Sequence, residues 1–376
     1  MLDALRAGRS GLAPCKFETV TLDTWVGEVG AEQLMPLPAA LARFDCRNHR
    51  LALLALRQDG FEQAVRDAAA RYGPARVGVF LGTSTSAILE TELAYRRRDP
   101  VSGALPADFH YATRHNNYAL AWFVREYLGL AGPAWIVSTA CSSSAKVFGC
   151  AARMMALGTC DAAVVGGADS LCLTTLYGFS SLGLTSRGPC RPFDAQRDGI
   201  SIGEGAGFAL LEPAELGTAP GALQLLGVGE SADAYHMSSP HPEGLGARLA
   251  MQAALRSAHA EPEQVDYIHL HGTATRTNDA AEEAAVHALF GERTPASSTK
   301  GWTGHLLGAA GITGAIVCAL ALRQQLLPGS ANTREVDPQV RIRYQRETTP
   351  GRVHIALANA FGFGGTNCSL VLGTTP

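Results

Sequence analysis

The feature that most constrains the fold of this chain is a repeated alternation of short apolar runs with longer helical stretches. The apolar runs lie at residues 76–82, 134–137, 161–167, 265–270 and 354–357. After the run at 134–137, Val147, Phe148 and Ala151 recur at helical spacing. Strands that alternate with helices in this way form a mostly parallel sheet with helices on its faces. The sequence therefore predicts a layered α/β fold.

The alternation occurs twice along 376 residues, a length that exceeds what one hydrophobic core usually holds. Residues 212–220 are rich in Pro, Gly and Ala and are the best candidate for a boundary. We therefore expect two fused α/β halves, at residues 1–212 and 213–376. Direct repetition of residues between the two halves is weak.

Composition excludes several classes of function. The chain is 47% hydrophobic and 17% charged, with a net charge of −3, so nothing global indicates binding to nucleic acid or to an anionic membrane. It has no run of 18 apolar residues and no signal-peptide pattern. Its nine cysteines form no C-x-x-C pair, which argues against a zinc or redox motif. An odd number of cysteines in a chain without a signal-peptide pattern indicates a reducing, cytoplasmic environment.

One cysteine lies where a nucleophile would be expected. Cys141 follows the apolar run at 134–137 and precedes a helix predicted to begin at about Ser142. Unpaired N–H groups and the positive end of a helix dipole favour a thiolate and can bind an oxyanion. From these residues alone, a buried and unreactive cysteine fits as well.

Two histidines and a lysine lie at other element boundaries. His271 ends an apolar run, His305 precedes an alanine-rich helix, and Lys300 lies five residues before His305. Spacing along the sequence provides no third metal ligand, so a metal site is not predicted. Two neutral imidazoles can instead donate N–H bonds to an enolate or an oxyanion.

Four motifs in this order resemble the elongating β-ketoacyl-[acyl carrier protein] synthases, which are condensing enzymes of the thiolase superfamily. They are T-A-C-S-S around Cys141, H-G-T-A-T from His271, S-S-T-K-G-W-T-G-H to His305, and N-A-F-G-F-G-G-T-N from Asn359. The likeness extends from about residue 2 to the C-terminus. It implies a thiolase-like fold, with two fused halves in an αβαβα sandwich, the nucleophile in the first half and the histidine pair in the second.

The resemblance also implies roles for the catalytic residues. Cys141 would accept the acyl group, and His271 and His305 would hold the malonyl thioester carbonyl. Lys300 would support the His305 region electrostatically. Phe363 would gate access to Cys141, and the amides of Cys141 and Phe363 would form an oxyanion hole.

Further residues are implied for substrate binding. Thr273 and Thr275 would bind the phosphopantetheine arm, and Glu282 would belong to the same buried polar network as Lys300. Phe179 and the loop from Gly82 to Ser86 would line the acyl pocket.

The implied activity is decarboxylative Claisen condensation of malonyl-carrier protein with an acyl group on Cys141, in fatty-acid or polyketide and polyene synthesis. No metal or redox cofactor is expected. The substrates would be carried on the phosphopantetheine of acyl carrier protein. Expected partners are acyl carrier protein and a second subunit, either an identical copy or a chain-length partner. Arg96, Arg97, Arg98 and Arg187 are candidates for carrier docking. Two alternatives are an acyltransferase or thioester hydrolase of the same fold, and a non-catalytic partner subunit; the latter usually lacks the nucleophile, which Cys141 supplies here.

Two features depart from the family pattern. The family begins with a strand that precedes the first helix, whereas Met1 here falls inside that helix. We therefore expect the first sheet to lack a strand, at a central position, or the true start to lie upstream. In addition, Gly301 and Trp302 follow Lys300 where a smaller or more flexible pair is usual. Trp302 would reshape the pocket or its mouth.

Overall fold

The computed structural model describes residues 1–214 and 221–375, so part of the predicted boundary, residues 215–220, lies outside the described chain. The helices are α1 Leu2–Ala7, α2 Arg47–Leu56, α3 Phe61–Tyr72, α4 Ile88–Arg96, α5 Tyr118–Tyr127, α6 Ser143–Ala156, α7 Leu173–Ser181, α8 Leu245–Ala258, α9 Arg276–Phe290, α10 Lys300–Thr303 and α11 Ala310–Gln324. The strands are β1 Ala13–Pro14, β2 Trp25–Gly27, β3 Val77–Gly82, β4 Ala134–Val137, β5 Ala162–Asp169, β6 Ile202–Gly203, β7 Gly205–Leu211, β8 Leu223–Ala232, β9 Tyr267–His269, β10 Ala296–Ser297, β11 Leu326–Leu327, β12 Thr349–Pro350, β13 Ile355–Gly362 and β14 Thr366–Thr374.

Two main sheets carry the fold, and they share one pattern. The first has the order β4-β3-β5-β7, with β4, β3 and β5 parallel and β7 antiparallel to β5. The second has the order β10-β9-β13-β14-β8, with β10, β9 and β13 parallel and β14 antiparallel to both neighbours. The common pattern supports two related halves, whose exact limits at residues 1–212 and 213–376 stay a prediction.

The sheets and helices form the five layers that the resemblance implied. Helices α6 and α11 pack against each other between the two sheets. On β3, Val79 faces the outer helices α2 and α5, whereas Phe80 faces α6 and α11. On β13, Leu357 likewise faces α8 and α9, and its neighbours face the centre. Both faces of each sheet are buried, which explains why the strands appear as continuous apolar runs. The αβαβα prediction is confirmed.

Helix α11 is also the most membrane-like part of the described chain. The stretch Leu307–Gln324 is long and apolar enough to cross a membrane by length and composition alone. However, 67% of it is buried inside the fold. At Gly311 an added Cβ would lie 2.4 Å from the backbone nitrogen of Ala145 on α6. Its apolar composition therefore reflects close packing at the centre of the protein.

The two sheets differ at one edge. In the second sheet, β8 covers the outer side of β14, whose interior residues are buried. In the first sheet, no strand within residues 1–214 and 221–375 pairs with the outer side of β7, most of which is only half-buried. By comparison with β8, the position without a strand partner in the described part of the first sheet is its β7 edge. The central position predicted for a missing strand is wrong, because β3 and β5 already pair directly with each other.

Several elements differ from the sequence prediction. Residues 47–72 form two helices, α2 and α3, and not one continuous helix, because the chain turns at Gly60, where φ is +74°. Helices α4, α5 and α7 and strand β8 were not predicted. Strand β8 alternates glycine with polar and apolar residues, so it lacks the continuous apolar run used to find the other strands.

Candidate active site

Cys141 lies at a tight turn between β4 and α6. Ala140, directly before it, has a φ of +50°, a left-handed conformation that non-glycine residues rarely adopt. The Ser143 side chain holds the turn, since its hydroxyl donates to the Ala140 carbonyl and accepts from the Thr139 amide. This turn directs the thiol towards the second half of the protein, where only 5% of Cys141 is exposed.

The resting state of the thiol differs from the sequence expectation. Burial raises the pKa of Cys141 to about 11, although the Lys300 ammonium and the backbone amides of Phe363 and Cys141 lower it. The predicted preference for a thiolate is therefore wrong for the free protein, because loss of hydration outweighs the helix N-terminus. The same two amides are those that the family resemblance places in an oxyanion hole.

His305 is the nearest base to the thiol. Its Nε2 lies 2.9 Å from Cys141 Sγ. Its backbone amide donates to the Ser201 carbonyl at 2.7 Å, and its carbonyl accepts from Gly203, so the residue is fixed from both sides. Burial and the nearby Lys300 charge hold the pKa of His305 well below its usual range. The imidazole is therefore neutral and can accept the thiol proton.

His271 lies beside His305, with ring centroids 5.3 Å apart and ring planes nearly perpendicular. The carboxylate of Glu282 on α9 accepts hydrogen bonds from the backbone N–H groups of His271 and Gly272, both at 2.7 Å. Lys300 Nζ donates to the His271 carbonyl and lies 3.4 Å from His271 Nδ1. An ammonium beside Nδ1 favours the tautomer with its proton on Nε2. Because burial also lowers the pKa of His271, this imidazole is a neutral N–H donor.

A cavity with an empty volume of about 600 Å³ opens onto Cys141, His271 and His305. Thr273 and Thr275 line it, and their hydroxyls are 2.9 Å apart. Its other lining residues are Phe179, Leu184, Ile200, Asp233, Ser238, Ser239, Pro240, Thr277, Asn278, Phe361, Gly362, Phe363, Gly365 and Asn367. The structure thus brings six of the predicted site residues together with the nucleophile: His271, His305, Phe363, Phe179, Thr273 and Thr275.

Phe363 occupies the turn between β13 and β14. Gly364 and Gly365 follow it with φ values of +81° and +72°, which only glycine adopts without strain. The Phe363 ring packs 5.3 Å from Phe179, centroid to centroid. The Gly364 amide donates to the Met237 carbonyl at 2.7 Å, so the neighbouring surface loop holds this turn in place.

Three of the predicted placements need correction. Glu282 belongs to the buried polar network of Lys300, as predicted, but it does not line the cavity with Cys141, because its carboxylate faces the backbone behind His271. Lys300 contacts His271 directly and its charge also lowers the pKa of His305, which agrees with the electrostatic role predicted for it. The Gly82–Ser86 loop is also absent from the cavity wall, because its polar groups face Asp169 instead. Trp302 likewise lines a separate cavity beside α1 and not the one that holds Cys141.

The candidate docking arginines are partly engaged already. Arg97 forms an ion pair with Asp108 at 3.0 Å, and Arg96 donates to the hydroxyl of Thr19. Both are exposed contacts, which contribute little to stability and are easily exchanged. A docking role for Arg96, Arg97, Arg98 and Arg187 stays a prediction.

The site also contains a metal-like set of ligands. Cys141 Sγ and one ring nitrogen each from His271 and His305 lie within 4.8 Å of one another. Cysteine and histidine are zinc ligands. The sequence spacing provided no third ligand, but Cys141, which is distant in sequence, lies close enough to the two histidines to be one. However, the buried ammonium of Lys300 touches His271 and opposes a second positive charge there. The arrangement therefore favours proton transfer and hydrogen bonding over metal binding.

Sequence reasoning missed some of the site. Phe361 lies 5.8 Å from the His271 ring, centroid to centroid, and Ile200 forms part of the apolar wall. Asn359 donates to Glu282 at 3.2 Å. Phe361 and Asn359 lie within the N-A-F-G-F-G-G-T-N motif, so the motif itself was the available signal. Ile200 lies in a glycine-rich segment without periodicity, which offered none.

Comparison with known proteins agrees with this geometry. Residues 43–216 match the model for the N-terminal domain of β-ketoacyl synthases, and residues 223–334 match the model for their C-terminal domain. The chain belongs to the β-ketoacyl synthase family. The two matched regions adjoin at residues 216–223, close to the predicted boundary between the halves.

Named relatives of this chain differ in how much of their length they share with it. The 3-oxoacyl-[acyl-carrier-protein] synthase 2 of Rhizobium meliloti is 42% identical over 65% of this chain, a match that spans 61% of that relative's own length. Nodulation protein E of the same species is 36% identical over 97% of this chain and 92% of its own length.

Solved structures match over nearly the whole chain. A ketosynthase, ApeO, in complex with its chain length factor, ApeC, from Xenorhabdus doucetiae has a TM-score of 0.89 and 38% identity, covering 99% of this chain and 93% of that chain. The ishigamide ketosynthase/chain length factor has a TM-score of 0.88 and 30% identity, with coverage of 100% and 94%. The thiolase-like architecture of this chain is therefore the one seen in ketosynthases.

Proposed function

We propose that this protein catalyses decarboxylative Claisen condensation of malonyl-carrier protein with an acyl group held as a thioester on Cys141. The observation that carries the proposal is the contact of 2.9 Å between Cys141 Sγ and His305 Nε2, with the neutral His271 ring beside it. A neutral thiol, a neutral base and a second N–H donor are the groups that the two half-reactions need.

The first half-reaction loads the acyl group. His305 Nε2 accepts the thiol proton as Cys141 Sγ attacks the acyl thioester carbonyl. The amides of Cys141 and Phe363 stabilise the tetrahedral oxyanion, because both already act on the sulfur. The carbon–sulfur bond to the carrier breaks, and the carrier leaves as a thiol after taking the proton from His305.

The second half-reaction extends the chain. The bond between the malonyl carboxylate and its methylene carbon breaks, CO2 leaves, and the electron pair forms an enolate. His271 and His305 donate N–H bonds to the enolate oxygen; Nε2 of His305 can carry the proton because an acylated sulfur no longer offers one. The methylene carbon then attacks the acyl carbonyl, and Cys141 leaves as a thiolate that takes up a proton. The product is two carbons longer, and these steps need no metal or redox cofactor.

Partners follow from the same proposal. The substrates arrive on the phosphopantetheine of an acyl carrier protein, with Thr273 and Thr275 at the cavity wall to bind the arm. A second subunit binds along the edge strand β4, where Trp135 is 42% exposed. Because two structural relatives are ketosynthases with chain length factors, we propose a chain-length partner in fatty-acid, polyketide or polyene synthesis. All nine cysteines are free thiols, which suits a cytoplasmic location.

Intact-mass measurement after incubation with a panel of acyl-carrier thioesters tests the proposal. Wild-type protein and Cys150→Ser, a control on the same helix α6, should each gain one acyl group, and Cys141→Ser should gain none. Addition of malonyl-carrier protein should then release CO2 and yield a carrier-bound β-ketoacyl product. Release of free acid without a condensed product would instead identify a hydrolase, and transfer to another thiol without CO2 would identify an acyltransferase.

A further inference from the structure

Asp169 is a buried carboxylate that the proposed reaction does not use. It is the last residue of β5 and is fully buried. Within residues 1–214 and 221–375 it forms no ion pair, and only hydrogen-bond donors face its two oxygens. The donors are the hydroxyls of Thr83, Ser84 and Thr85 and the backbone amides of Ser84, Thr85 and Gly308. A carboxylate that accepts hydrogen bonds on both oxygens fits such a set.

These donors come from two loops that belong to different parts of the active site. Thr83 to Thr85 follow β3, whose last residue, Gly82, packs so closely on α6 that an added Cβ would lie 2.3 Å from the Ser144 nitrogen. Ser144 is in the first turn of α6, three residues after Cys141. The Asp169 carboxylate therefore contacts the loop that supports the nucleophile.

The second loop supports His305. The Gly308 amide donates to Asp169 Oδ2 at 2.6 Å. The residue before it, Leu307, has a φ of +50°, a strained conformation that needs external support. Leu307 is buried in an apolar cluster with Ile200, and Phe179 packs against that cluster; both residues line the cavity.

We propose that Asp169 is a positioning residue that fixes the Cys141 turn and the His305 turn relative to each other. By binding the two loops through one carboxylate, it sets the contact between Cys141 Sγ and His305 Nε2 and holds Leu307 behind the apolar wall. An error of about 1 Å in such a contact typically lowers a rate by about 100-fold. The inference rests on the proposed condensing function.

Asp169→Asn tests this role. The amide side chain has the same size as the carboxylate, but only its oxygen can accept hydrogen bonds. Asp194→Asn is the matched control. Its carboxylate is also buried and accepts three backbone amides, from Gln196, Arg334 and Glu335, none of which lines the cavity. Both variants are compared by melting temperature, by acylation rate with a small pantetheine thioester, and by condensation kinetics.

We expect Asp169→Asn to lower the kcat of condensation and the acylation rate by about 10- to 100-fold, while the KM for malonyl-carrier protein changes less than about threefold. Asp194→Asn should stay within about threefold of wild type in both rates. Equal losses in the two variants, or a wild-type kcat in Asp169→Asn, would overturn the inference.

Two further measurements keep the result interpretable. If Asp169→Asn does not fold, Thr83→Val removes a single donor and should produce a smaller loss of the same kind; no loss there would also overturn the inference. Wild-type protein that is acylated but never condenses would contradict the proposed function instead, and the acylation rates would still decide the role of Asp169.

Discussion

The two halves of this protein contribute unequally to the active site. The N-terminal half supplies one reactive atom, Cys141 Sγ, on a strained turn and with a pKa raised to about 11. The C-terminal half supplies the neighbouring base, His305, the second imidazole, His271, and two of the groups that lower the thiol pKa, Lys300 and the Phe363 amide. The nucleophile therefore depends on the other half for its base.

The two main sheets also differ, at one edge. The second sheet is closed at its edge by β8, and the residues it pairs with on β14 are buried. In the described chain, the corresponding edge of the first sheet ends at β7, which is half-buried. The two halves thus differ at this edge: β14 is covered by β8, whereas β7 has no strand on its outer side within residues 1–214 and 221–375.

The largest expected effect comes from removing the imidazoles one at a time. His271→Ala should still be acylated at Cys141 but should lose roughly 100- to 1,000-fold in malonyl decarboxylation, since it removes one donor to the developing charge. His305→Ala should lose decarboxylation and also acylation, because its Nε2 is the base at 2.9 Å from the thiol. Mass spectrometry and release of labelled CO2 measure the two steps. Equal acylation in the two variants would contradict the proposal that His305, and not His271, accepts the thiol proton.

The pH dependence of alkylation sharpens the statement about Cys141. Burial raises the thiol pKa to about 11, so below that pH only a small fraction is thiolate, and this fraction grows about tenfold for each pH unit. The alkylation rate of Cys141 by iodoacetamide should therefore rise from pH 7 to pH 10 without a plateau. Peptide mapping identifies the modified cysteine. A plateau near pH 7 would instead indicate a thiolate paired with a charged imidazole.

Hydrogen exchange compares the two sheet edges directly. The amides on the outer side of β7 have no strand partner in the described chain, whereas the amides of β14 pair on both sides. We expect the unpaired β7 amides to exchange at least roughly tenfold faster than those of β14, a difference of about 1.4 kcal/mol. Mass spectrometry of peptides from the two strands measures this. Equal protection would mean that the β7 edge is covered in solution.

The smallest expected effect concerns Phe363 on the β13–β14 turn. If its ring covers Cys141 until a primer is bound, Phe363→Ala should load acyl groups with less discrimination by chain length. It should also raise primer-independent decarboxylation several-fold, because the glycines beside it already permit the turn to move. The measurements are acylation rates across chain lengths and CO2 release without primer. Wild-type values in both would leave Phe363 as a packing residue only.

The layered α/β fold and many of the cavity residues could be predicted from the sequence. Buried strands covered on both faces must be continuously apolar, so runs such as residues 76–82 and 161–167 were visible without a structure. Small-residue motifs at the ends of these runs marked Cys141, His271, His305 and Phe363. These signals are local, and local patterns survive in a linear sequence.

How the thiol, the imidazoles and Lys300 act on one another depends on contacts that only the tertiary structure shows. Cys141 and His305 are 164 residues apart in sequence, yet their side chains are 2.9 Å apart. Whether the thiol is ionised depends on burial, which no sequence window reports, and here burial outweighs the helix N-terminus. The contact of Lys300 with His271 and the binding of two loops by Asp169 are also decided by long-range packing. Such contacts join distant segments, so they leave no periodicity or spacing that the sequence could show.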